Sequence, residues 1–103
     1  MLKKENLADN KTCKVTFMID HGPVAAAEVV SLVGDFNDWD PSADPMKRSK
    51  DGRFSKSLKL DCGNRYQFRY VIDGTIWEND AEADEYVPTP FGGDNSVVDV
   101  PAK

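Results

Sequence analysis

Along this chain, apolar and polar residues alternate with a period of two far more often than with the 3.6 of a helix. In Cys13-Lys14-Val15-Thr16-Phe17-Met18-Ile19-Asp20, positions 13, 15, 17 and 19 share one side. Phe54, Leu58 and Leu60 do the same against Arg53, Ser55, Ser57 and Lys59. Residues 65–72 are the clearest case: Tyr66, Phe68, Tyr70 and Ile72 alternate with Arg65, Gln67, Arg69 and Val71. Successive strand side chains point to opposite faces, so each run predicts a strand with one buried side. Residues 29–33 and 95–100 are shorter, apolar and β-branched, and read as further strands.

Turn chemistry separates these runs. Asp51-Gly52 and Asp73-Gly74 tolerate the positive φ of tight hairpins, and Asp61-Cys62-Gly63-Asn64 joins the second and third runs. Residues 40–45 and 88–93, rich in Pro and Gly, read as irregular loops. Only the VAAAEV stretch at 24–29 reads as a helical turn. Several short strands at this spacing predict an all-β, antiparallel β-sandwich. Residues 1–11 are polar and aperiodic and are expected to form a mobile tail, leaving 12–103 as a single domain.

Composition narrows the function. The 103 residues fit one modest core, and 18 acidic against 13 basic side chains leave a net charge of -5. Nucleic acid and anionic membranes need a basic footprint, so neither is expected as a partner. No apolar run approaches the ~20 residues of a membrane span, and MLKKENLADNK has no secretory apolar region, so a cytoplasmic location is expected. Cys13 and Cys62 make no metal spacing and read as reduced thiols, with a bridge as the alternative. His21, in a His-Gly-Pro tripeptide, reads as a loop residue. The acidic stretch Asp73, Glu78, Asp80, Glu82, Asp84 and Glu85 reads as a solvated face. No nucleophile elbow, phosphate loop, dinucleotide fingerprint or metal motif occurs, so no catalytic residue, metal or cofactor is expected.

Two tryptophans stand out instead. Trp39 lies in Gly34-Asp35-Phe36-Asn37-Asp38-Trp39-Asp40-Pro41, and Trp77 follows the Asp73-Gly74 turn, beside Glu78, Asn79 and Asp80. An indole among polar turn residues is either a partly exposed plate for the C–H face of a sugar ring or a cap on an open end of the core. Their surroundings alone leave both readings open.

The residues around them resemble a known family. Val30-Ser31-Leu32-Val33-Gly34-Asp35-Phe36-Asn37-Asp38-Trp39 resembles the V-x-L-x-G-x-F-N-x-W opening of the family 48 carbohydrate-binding modules, or isoamylase N-terminal (early-set) domains. Met46 to Lys50 with Gly52-Arg53-Phe54, then GNRYQFRYVIDG at 63–74, follow in that family's order. So do Trp77-Glu78-Asn79-Asp80, Ala83-Asp84 and GGDNSVV at 92–98. The resemblance covers residues 28–100. It implies an immunoglobulin-like β-sandwich of early-set type, and non-catalytic binding of α-1,4-linked glucan such as glycogen, starch or maltooligosaccharide. The family includes the glycogen-binding module of the AMP-activated protein kinase beta subunit and modules of glycogen branching enzymes, isoamylases and pullulanases. A glycogen-metabolising enzyme is therefore a second expected partner.

Residue by residue, the resemblance implies glucan-binding roles for Trp39, Arg69, Trp77, Phe91 and Asn95. Trp39 matches the first stacking tryptophan, and Arg69 stands where the kinase module uses a lysine toward sugar hydroxyls. Asn95 matches a glucose-binding asparagine, and Phe91 a leucine that inserts into a cyclic glucan. Trp77 departs from the pattern: the second tryptophan comes two residues after Asp-Gly, where this chain has Ile76. One residue reverses the face of a strand, so Trp77 reaches the site only if a bulge or longer turn resets the register. A family 13 glycoside hydrolase needs a barrel of ~250 residues, for which this chain has no room; it reads as a standalone or excised module. The alternative is a structural or protein-interaction sandwich without a sugar site, its two indoles buried as core.

Overall fold

A computed structural model of the chain describes residues 2–7, 11–20, 24, 26–90 and 93–101. Among these, two antiparallel sheets pack face to face. The first runs β1 (Leu2–Asn6), β2 (Thr12–Ile19), β5 (Phe54–Asp61), β4 (Lys47–Arg48) in spatial order. The second runs β3 (Val30–Gly34), β6 (Asn64–Ile72), β9 (Asp94–Val100), β8 (Glu85–Pro88), with β7 (Ile76–Glu78) on the C-terminal half of β6. The chain has the immunoglobulin-like β-sandwich fold of early-set domains.

The alternation read from sequence accounts for the core. Cys13, Val15, Phe17 and Ile19 of β2, with Phe54 and Leu60 of β5, face Leu32 of β3, Phe68, Tyr70 and Ile72 of β6, and Val98 and Val100 of β9. Phe17 meets Phe68 across the sheets edge to face, ring centres 5.0 Å apart. Burying side chains of this kind contributes ~1.5–3 kcal/mol each, which is what holds the two sheets together. Within the VAAAEV stretch, the Ala27 N–H donates to the Val24 carbonyl at 3.1 Å. Both cysteines are free thiols, Cys13 buried in the core.

Two expectations are corrected. Residues 2–6 are not a tail but an edge strand, pairing with β2 from Leu2↔Phe17 to Asn6↔Cys13. Backbone pairing needs no apolar pattern; Leu2 packs on the core, and Lys4 Nζ ties the strand to Asp84, just ahead of β8, at 2.6 Å. The acidic stretch is also more than a solvated face. Asp80 is fully buried, accepting the Tyr70 hydroxyl at 2.6 Å, while its own N–H donates to Ser96 Oγ at 2.9 Å. Asp73 Oδ1 accepts the N–H groups of Glu28 and Val29, at 2.9 and 3.0 Å. The Asp73-Gly74 turn closes a hairpin with positive φ at Asp73 (50°) and Gly74 (74°), as read, and its loop is the longer, three-residue one, with Ile72 paired to Ile76. His21 lies outside the described residues.

Candidate functional site

The outer face of the second sheet carries the site. On β6 the positions facing away from the core are Arg65, Gln67, Arg69 and Val71. Register brings neighbours to the same face: Val97 opposite Gln67, Val33 opposite Arg69, and Trp77 opposite Val71. Val33, Val71 and Val97 are as buried as the core yet stand apart from it, so this face is partly covered rather than a plain solvent surface. The three-residue loop at 73–75 is what puts Trp77 here. A two-residue hairpin would pair Ile72 with Thr75 and turn the indole to the other face.

Trp39 arrives from the loop after β3, which is held by its own polar groups. Asn37 Oδ1 accepts the Gly34 N–H at 3.0 Å, while Asn37 Nδ2 donates to the Leu32 carbonyl at 2.9 Å and to Asp44 Oδ2 at 2.8 Å. Asp35 grips the neighbouring strand, its N–H on the Gln67 carbonyl at 3.0 Å and its Oδ2 accepting the Gln67 N–H at 2.8 Å. The other Asp35 oxygen accepts Trp39 Nε1–H at 3.1 Å and so orients the indole. Asp38 and Trp39 both adopt φ of 57°, a left-handed conformation costly for residues other than glycine. The Trp39 N–H on the Gly34 carbonyl, at 3.0 Å, helps offset that cost. A Cβ at Gly34 would sit 2.6 Å from the Gln67 carbonyl oxygen, so the close approach of loop and strand demands glycine. Phe36 pins the loop from below, 5.5 Å from the Phe17 ring. Just beyond, the Ser42 hydroxyl and N–H hold the exposed Asp40 carboxyl below its ordinary value.

Together these elements enclose a groove of about 570 Å³. Trp39 and Trp77 line it, with Arg69, Gln67 and Asn95 between and the Pro88-Thr89-Pro90 segment alongside. The polar trio is internally bonded: Arg69 Nε donates to Asn95 Oδ1 at 2.6 Å, and Asn95 Nδ2 donates to Gln67 Oε1 at 3.0 Å. That chain fixes the Asn95 amide and leaves the two Arg69 amino groups and the Gln67 amide nitrogen as donors for a ligand. Among the described residues no carboxylate pairs with Arg69, and no three His, Cys, Asp or Glu side chains gather as metal ligands.

Of the five residues singled out in the sequence, the structure brings Trp39, Arg69, Trp77 and Asn95 to this one groove. Phe91 lies outside the described residues. The reading of the indoles as core caps is corrected: Trp77 is 46% exposed, Trp39 is half-buried, and neither joins the core. Gln67 was missed, although it shares the parity of Arg69, because its partner Asn95 comes from a strand 28 residues away.

Flat apolar plates beside fixed amide and guanidinium donors, on the outer face of a β-sandwich, have the make-up of a carbohydrate-binding module. The chain belongs to the carbohydrate-binding module 48 (isoamylase N-terminal domain) family, which it matches over residues 24–87. It is also similar to the 1,4-alpha-glucan branching enzyme GlgB of Novosphingobium aromaticivorans, 42% identical over 48 residues. Those residues are 47% of this chain and 7% of that enzyme, so the chain spans a small part of its relative.

Proposed function

We propose that this protein binds α-1,4-linked glucan, without catalysis, in the groove between Trp39 and Trp77. The observation that carries the reading is the convergence of Trp39, Trp77, Arg69 and Asn95 on one groove. The indoles take the C–H faces of successive glucose rings, while Arg69 and Gln67 donate to hydroxyl oxygens and Asn95 holds both in place. The ligand is neutral, so the protein's net charge of -5 does not oppose it. Similarity to part of a branching enzyme supports glycogen or a related glucan as the polymer, and a glycogen-metabolising enzyme as the setting. The structural alternative needs both indoles buried as core, and the exposure of Trp77 stands against it.

Small stacking sites of this kind bind weakly, roughly micromolar to millimolar, or about -8 to -4 kcal/mol. Titration with maltoheptaose or β-cyclodextrin, followed by amide NMR, is expected to move the resonances of Trp39, Gln67, Arg69 and Asn95. Unmoved resonances at millimolar sugar would refute the reading.

A further inference from the structure

The groove does not stop at Gln67. The same side chain lines a second, smaller depression of about 120 Å³, with Asp35, Arg65, Val87 and Val97 around it. Register orders these positions along the sheet: Gln67 lies opposite Val97, Val97 opposite Glu85, and Val87 opposite Asn95. A strand rises about 3.3 Å per residue, so Arg69, Gln67 and Arg65 mark a straight track of about 13 Å along β6.

This end differs from the groove in lacking a tryptophan plate and in its more polar lining. Half-buried Val87 supplies an apolar contact at its edge, while Val97 is buried. Arg65 reaches across β9 to pair with Glu85, and both side chains stay about half exposed. A pyranose ring set against Val87 would present its equatorial hydroxyls to that guanidinium and carboxylate, which form charge-assisted hydrogen bonds with neutral partners. Asp35 is a fixed wall, its oxygens already accepting Trp39 Nε1–H and the Gln67 N–H. With Glu85, Asp35 and Asp99 around Arg65, the depression offers nothing to an anion and suits a neutral chain.

We infer that this depression is a second sugar subsite, so that a longer α-glucan is held along β6 from the tryptophan pair to the Arg65–Glu85 pair. The inference rests on the reading of the main groove as a glucan site. It makes the site sensitive to chain length: a short oligosaccharide fills the tryptophan groove alone, and a longer one gains the second contact.

Calorimetric titration of the protein with maltotriose and maltoheptaose, alongside Arg65→Ala and Val87→Ser, tests it. Wild type is expected to bind maltoheptaose about fivefold or more tightly than maltotriose. Arg65→Ala is expected to keep the maltotriose affinity within about twofold and to lose most of the gain on lengthening. Val87→Ser, which removes the apolar contact without touching the ion pair, has the same expected result. In wild type, the amides of Arg65 and Val97 are expected to move with maltoheptaose and to stay put with maltotriose, a readout independent of any variant's folding. Folded variants that retain the full gain, or a wild type with no gain, overturn the second subsite while leaving the main groove standing. A wild type that binds neither sugar overturns both.

Discussion

Replacing Asn37 with alanine removes the clamp that carries Trp39. Three side-chain hydrogen bonds disappear, from the Gly34 N–H and to the Leu32 carbonyl and Asp44 carboxylate. At about 1 kcal/mol net for each partly buried bond, with the partner groups left unpaired, the loss is about 2–4 kcal/mol. For a domain of this size that corresponds to a fall in Tm of roughly 10–30 °C. The chain still folds at low temperature if its stability lies in the ordinary range of ~5–15 kcal/mol. Asn37→Asp sharpens the test. It keeps an acceptor for Gly34, loses both donors, and places a second carboxylate against Asp44 at neutral pH. It is therefore expected to cost at least as much as alanine, although its volume is unchanged. Urea unfolding followed by circular dichroism measures both variants. A loss below about 0.5 kcal/mol for alanine, or wild-type stability for Asn37→Asp, refutes the hydrogen-bond account of the loop.

Two further outcomes follow from other parts of the molecule. Trp77→Ala removes a side chain that is 46% exposed and outside the core, so unfolding free energy should change by less than about 1 kcal/mol, whereas maltoheptaose affinity should fall about tenfold or more, ~1.4 kcal/mol, in calorimetry. Burial, then the charge of Asp80 and its hydrogen bond, pushes the Tyr70 hydroxyl well above its ordinary value, so above pH ~10 the unfolded chain releases this proton while the folded protein keeps it. Stability then declines by about 1.4 kcal/mol per pH unit from this group; Tyr70→Phe should lose about 1–3 kcal/mol at pH 7 and lack that part of the alkaline decline, so parallel curves for the two proteins would refute the assignment.

The strands that bury one face were legible because a period of two records burial directly: β2, β5 and β6 fall where alternation puts them. The site was legible in part. Trp39, Arg69 and Asn95 stand in a recognisable order, and the parity of Arg69 against Phe68 and Tyr70 already placed it off the core. The face of Trp77 was not legible, because it depends on whether the turn after Ile72 takes two or three residues, and Asp-Gly serves either. β1 escaped notice because its pairing is a matter of backbone, with one leucine and the Lys4–Asp84 contact to hold it. Asp80 looked like its acidic neighbours, since its burial comes from Tyr70 on another strand and Ser96 on a third. Gln67 looked like an ordinary outward polar residue for the same reason: the amide it holds lies on β9.

The central claim is that Trp39 and Trp77 act as one sugar platform on the outer face of the second sheet. Intermolecular NOE measurements on the maltoheptaose complex test it most directly. The account predicts contacts from glucose C–H protons to both indole rings and to the Gln67 side-chain amide. Sugar contacts confined to other surfaces, or to one indole with the other silent, would contradict it.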